Sequence, residues 1–406
     1  MNASGWQGDQ GDQGDQGDQG DQGDQGDQGD QGDSGGIRPG ANGSAGVGLI
    51  RTREALIQPF DGLPKPFEIA RSFREAAADG LPKIEGTGRV DGYSAEIRQV
   101  DMLAELLGGL RLTADAKLQQ VGLDHIQLTP AKGNGQTGSF VASPILSIIR
   151  PKKKSFEGAQ LRLVYEWAEL RGERLPEITS QLGVPYRYWA AITDLNPSCH
   201  RHTLELLALA VRLGYHLLQP MKHYLGCPRP AAYSPSIQPV IRPRRFEAFP
   251  SGHAMEAFLV ARLLATLAKA KPDDALDEPL QRQAARIANN RVVAGVHFHI
   301  DSVAGRMVAE SLAEYFVSCC EPKTTKGWVY RHFAGDALRS SDPALELALN
   351  RKEVMDGKGV QSAYFLPNKT ASLALPSGFS GVGLVEGQAQ HSLLSRLWAL
   401  AKAEWK

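Results

Sequence analysis

Residues 251–267 read SGHAMEAFLVARLLATL, and this stretch decides the fold. Met255, Phe258, Leu259, Leu263, Leu264 and Leu267 recur at the three- and four-residue steps of one helix face. Ser251 stands just ahead of them, where a hydroxyl caps the free N–H groups of a helix start. On the N-terminal side, Leu204–Leu218 is the most apolar helix and is expected to be interrupted by Pro220. On the C-terminal side, helices are expected around Leu280–Val293 and Asp301–Val317.

Further out the pattern thins. Ser94 is expected to cap a helix with Ile97, Val100, Leu103, Leu106 and Leu107 on one face, closed by Gly108 and Gly109. Thr113 is expected to cap another that ends near Gly122, and a short helix is expected near Ser72–Ala78. Residues 127–154 read as an irregular link ending in Lys152, Lys153 and Lys154. Beyond Ser155, Leu161, Val164, Trp167 and Ala168 form a helical stripe, and Leu393, Leu394, Leu397 and Leu400 mark a closing amphipathic helix. Strand signals are weak. The expectation is an all-α protein, a helical bundle with peripheral loops and an N-terminal low-complexity tail. It divides into a tail (1–36), a mixed or helical region (37–154), a catalytic core (155–320) and a C-terminal extension (321–406).

Composition bounds the function. The 406 residues are 42% apolar, enough for a core, and four cysteines without a CxxC pair exclude a disulfide scaffold or zinc ribbon. Cys199, Cys227, Cys319 and Cys320 are expected to be reduced thiols. The formal net charge is zero, but residues 1–36 hold nine Asp and no Lys or Arg, leaving a basic remainder. That balance suits an anionic ligand; no nucleic-acid partner is inferred. No secretory signal and no membrane span is read, which favours the cytoplasm.

The tail repeats Gly every third residue from Gly5 to Gly35, with eight GDQ triplets. Period-three glycine is the collagen pattern, yet the segment lacks Pro, and its like charges would repel across three strands. It is expected to be disordered alone. If it does assemble, a collagen-like adhesion or assembly protein is the non-enzymatic reading.

Three blocks carry chemistry. KHYLGCPRP places Lys222 and Arg229 seven apart, FPSGH holds Ser251, Gly252 and His253, and RVVAGVHFHID holds Arg291, His297 and Asp301. The two Arg can grip oxyanion edges in bidentate fashion, with Lys222 as a third positive charge. Ser251 and Gly252 lie where hydroxyl, backbone N–H groups and the positive helix end converge. His253, one residue on, is placed for acid–base work. His297 and Asp301 share a helix face, so the carboxylate can hold one imidazole nitrogen and leave the other as nucleophile or metal ligand. His299 is read as a non-ligand.

Together the blocks resemble the pattern shared by vanadium-dependent haloperoxidases and type 2 phosphatidic acid phosphatases, including bacterial class A acid phosphatases. The likeness spans about residues 200–320, with Asn290 where that superfamily usually has Ser. It implies that Lys222, Arg229, Ser251, Gly252 and Arg291 bind the equatorial oxygens of vanadate or phosphate. His297 would be the axial vanadium ligand or phosphorylated nucleophile, oriented by Asp301, and His253 the acid–base group. Under the haloperoxidase resemblance the cofactor is vanadate, with no haem or flavin, and the reactants are hydrogen peroxide, a halide and a small organic acceptor. Haloperoxidase relatives also suggest a homo-oligomer. Phe246, seven residues before His253, resembles the chloroperoxidase form and would keep the halide side dry, whereas Gln219 stands where fungal chloroperoxidases have Trp. Haloperoxidase is the leading expectation and a soluble acid phosphatase the alternative.

Overall fold

A computed structural model describes residues 93–129, 139–182, 186–243, 246–270, 275–321, 327–328, 330–334, 366–367 and 392–405. The GDQ tail and the helix expected near Ser72–Ala78 lie outside them. Helices dominate, in the order α1 (Ala95–Gly108), α2 (Lys153–Phe156), α3 (Ala159–Glu166), α4 (Arg171–Ser180), α5 (Tyr186–Thr193), α6 (Arg201–Leu225), α7 (Gly252–Leu267), α8 (Asp277–Val293), α9 (His299–Cys320) and α10 (Ser392–Ala403). The all-α expectation holds for this bundle, with a small sheet added to it.

The stretch that opened the reading is α7, with Ser251 at its N-cap accepting the Ala254 N–H. Its apolar residues are buried on all sides, since α7 packs against α6, α8 and α9. A helix apolar all round belongs at the centre of a bundle.

α6 does not stop at Pro220; it runs on to Leu225. Leu213, Leu217, Leu218, Met221 and Leu225 are all buried, and packing on both sides of the proline outweighs its missing N–H. The continuation puts Lys222 in the last turn of α6. Gly226 then ends the helix at φ 56°, the left-handed region glycine enters without strain.

The sheet corrects the reading of residues 110–149. β1 (Leu110–Asp115), β2 (Gln120–Thr129) and β3 (Ser139–Ile149) form an antiparallel meander. β4 (Arg331–Ala334) adds parallel to β3, and β5 (Leu366–Pro367) pairs with β4. Thr113 therefore caps no helix, and of the expected irregular link, residues 127–129 and 139–149 are strand. The hairpin turn is made by Asp115, whose Oδ1 accepts the N–H groups of Lys117 (2.8 Å) and Leu118 (3.0 Å). Asp in this role starts a turn as readily as Thr starts a helix.

Smaller departures follow from packing. Ser94 occupies the N-cap of α1 but makes no capping hydrogen bond, and Ile97 and Val100 face outward while Met102, Leu103 and Leu106 are buried. The stripe beyond Ser155 breaks into α2, α3, a 3-10 turn (Trp167–Leu170) and α4. In α10, Leu394, Leu397 and Trp398 are buried but Leu400 is 39% exposed. None of the described helices is long and apolar enough to cross a membrane. The four cysteines are unbridged.

The sheet braces the bundle's central loops. Phe333 of β4 packs on Phe249, with ring centroids 5.9 Å apart, and Arg150 after β3 donates to the Gly226 carbonyl at 3.3 Å.

Candidate active site

The three blocks converge where α6 ends, α7 begins and α9 begins. α9 crosses close to the α7 start: a Cβ on Gly305 would lie 2.5 Å from the Ser251 carbonyl oxygen, so only glycine permits the approach. Ser251 N–H donates to the Asp301 carbonyl at 2.9 Å, tying the second block to the third.

His297 is the hub. Its Nδ1 pairs with Asp301 Oδ2 at 3.0 Å, and its Nε2 lies 3.4 Å from Arg229 Nη1. Asp301 Oδ2 also accepts the Phe298 N–H at 2.9 Å, which fixes the carboxylate at the head of α9. The His297 imidazole is held well below the usual histidine value, first by burial, then by Arg229, Lys222, His253 and Arg291. Those four cationic or protonatable groups therefore all act on one ring. Burial pushes the Asp301 carboxyl up to about 7, against the Phe298 N–H, Lys222 and Arg229. The cation-rich surroundings favour a neutral imidazole with Nδ1–H on the carboxylate.

Lys222 is buried in the last turn of α6, where its Nζ donates to the carbonyls of Glu247 and Ala248, both at 3.1 Å. Arg229 Nε donates to the Phe246 carbonyl and its Nη1 to the Val296 carbonyl, both at 3.0 Å. The two cations thereby strap down the segment that leads into FPSGH. The Phe246 ring lies 5.3 Å from Lys222 Nζ and 5.1 Å from the Arg229 guanidinium carbon, within cation–π reach of both. Arg291 is fully buried at the end of α8, and its Nη2 donates to the Ile178 carbonyl and to Gln181 Oε1. His253 is buried in the first turn of α7.

A narrow cleft opens beside His297, lined by Lys222, Phe246 and Gly252 with Tyr215, Leu218, Gln219, Met255 and Glu256. Lys222, Arg229, His253, Arg291, His297, Asp301 and Phe246 are thus brought to one place, with Gly252 on the cleft wall. Ser251 is buried as the helix cap behind it. His299 is buried at the start of α9 and does not line the cleft.

Sequence reading missed Tyr215 and Glu256 and read Met255 only as part of an apolar helix face. Their spacing could have found them: 215, 218, 219 and 222 recur on one face of α6, and 252, 255 and 256 on one face of α7. It also missed Gln181, Arg174 and Arg171 on the α4 side. Asn290, the departure from Ser, is used structurally: Arg174 donates to its Oδ1 and its Nδ2 donates to Gln181 Oε1, both at 3.1 Å.

The bundle gathers three cations around a carboxylate-held imidazole at a helix N-terminus, an arrangement that can attract an oxyanion. Residues 204–324 match the family model of the PAP2 superfamily, which takes in phosphatases and haloperoxidases, so the recognition drawn from the three blocks is borne out. No curated protein matches the chain.

Proposed function

We propose that the protein is a vanadium-dependent haloperoxidase. The observation that carries this reading is Phe246, whose ring covers both Lys222 and Arg229 on the wall of the cleft beside His297. An aromatic wall there excludes water from one side of the site and strengthens the electrostatics inside it.

The donor set fits vanadate. Lys222, Arg229 and Arg291 all act electrostatically on His297, where Asp301 is the carboxylate it pairs with, and Glu256 lines the cleft beside it. Arg229, Arg291 and Lys222 would hold the oxygens with the amides at the α7 start, and His297 Nε2 would be the ligand atom. Bound vanadate supplies the electrophilic activation of hydrogen peroxide toward a halide, without haem or flavin. Asp301 keeps the proton on His297 Nδ1, so that Nε2 presents its lone pair. His253 moves the proton of the incoming peroxide, and Phe246 strips water from the approaching halide.

A second reading, an acid phosphatase, is favoured by Glu256. A carboxylate lining the cleft repels a halide but tolerates a phosphomonoester whose leaving group carries donors. In that reading His297 Nε2 attacks phosphorus as the ester P–O bond breaks, and His253 gives its proton to the leaving oxygen. Water then hydrolyses the phosphohistidine, with His253 accepting its proton.

Bromination of monochlorodimedone with and without vanadate, run beside p-nitrophenyl phosphate hydrolysis, separates the two. Vanadate-dependent bromination that His297→Ala abolishes is expected. Hydrolysis by the vanadium-free protein, inhibited by vanadate and without bromination, favours the phosphatase instead.

A further inference from the structure

Arg291 is held from outside the matched segment. Gln181, at the C-cap of α4, is 1% exposed, and its Oε1 accepts from Arg291 Nη2 at 2.9 Å and from Asn290 Nδ2 at 3.1 Å. The orientation of that amide is set by its other end, since Nε2 donates to Glu177 Oε1 at 3.0 Å. Glu177 is gripped in turn by Arg286, with contacts from 2.6 to 2.9 Å. The Ile178 carbonyl takes a second bond from Arg291 Nη2 at 3.0 Å. One edge of the guanidinium is therefore docked on the α4 segment through acceptors that carry no net charge.

That neutrality is the telling feature. A carboxylate at position 181 would ion-pair with Arg291 and cancel the charge that acts on His297. An amide oxygen orients the same nitrogen and leaves the charge available to an anion. Glu177, which does carry charge, sits behind the Gln181 amide and is paired with Arg286.

We propose that Gln181 is a positioning residue for the oxyanion, holding Arg291 in register with His297 without neutralising it. The proposal rests on Arg291 belonging to the oxyanion cradle. Its test is calorimetric titration of inorganic vanadate and inorganic phosphate into the vanadium-free full chain, for wild type, Gln181→Met and Gln181→Glu, with thermal melts alongside. Gln181→Met is expected to bind both anions about tenfold more weakly, the scale of one lost hydrogen bond to a charged group. Gln181→Glu is expected to bind more weakly still, with its deficit shrinking as pH falls and the new carboxylate protonates against Arg291, Arg174, Arg286 and Glu177. Wild-type affinity in a folded Gln181→Met overturns the proposal. Should that variant not fold, a pH-independent deficit in Gln181→Glu overturns it. A wild-type chain that binds neither anion overturns the cradle itself.

Discussion

Asp301 carries a charge where burial opposes it, and this makes the site's cost measurable. Its carboxyl is raised from 3.8 to about 7, so the folded chain binds that proton more tightly than the unfolded chain does. The stability linked to that proton is complete below the unfolded value and is lost as pH rises toward the folded one. Asp301→Asn should therefore gain on wild type between about pH 5 and about pH 8 in anion-free thermal melts, while losing activity; an equal offset at both values contradicts the assignment. His253 stands apart from the cradle in role. His253→Ala is expected to lower turnover roughly 10²- to 10⁴-fold with vanadate affinity nearly unchanged, whereas Arg291→Ala loses the affinity. Equal loss of binding in the two would refute the division. Single residues of this kind were legible because chemistry restricts their types and spacing. Gln181 was not, because an amide acquires its role only from what a distant helix brings against it.

Elements set how closely the three blocks meet. The crossing of α9 over the α7 start depends on Gly305, whose added Cβ would meet the Ser251 carbonyl at 2.5 Å. Gly305→Val is expected to destabilise by about 1–3 kcal/mol, the usual scale of overpacking, and to lower activity further by parting Ser251 from Asp301. A melt and turnover like those of wild type would show that the approach is slack. The helices around the cleft were readable from periodicity, since each buries a broad apolar face. The hairpin was not: Thr113 and Gly122 mimic a helix start and stop, and the Asp115 turn that decides otherwise is a local hydrogen-bond choice. Pro220 misled for the reverse reason, because the buried residues flanking it keep α6 intact.

Across the whole molecule, charge is divided between an acidic repeat and a basic remainder. The repeat lies outside the described residues, and its assembly is tested by itself: circular dichroism of a peptide spanning residues 1–36 is expected to show no cooperative triple-helix melting, and a sharp melt would support the assembly reading. The bundle was legible as a whole, while the contribution of the α4 side to the site was not, since it makes contact only through tertiary packing. The account's centre is that distant blocks form one oxyanion cradle on His297. Crystals of the full chain soaked in vanadate test it through the anomalous signal of vanadium. The prediction is a peak bonded to His297 Nε2 and enclosed by Lys222, Arg229 and Arg291; a peak elsewhere, or none at that ring, contradicts it.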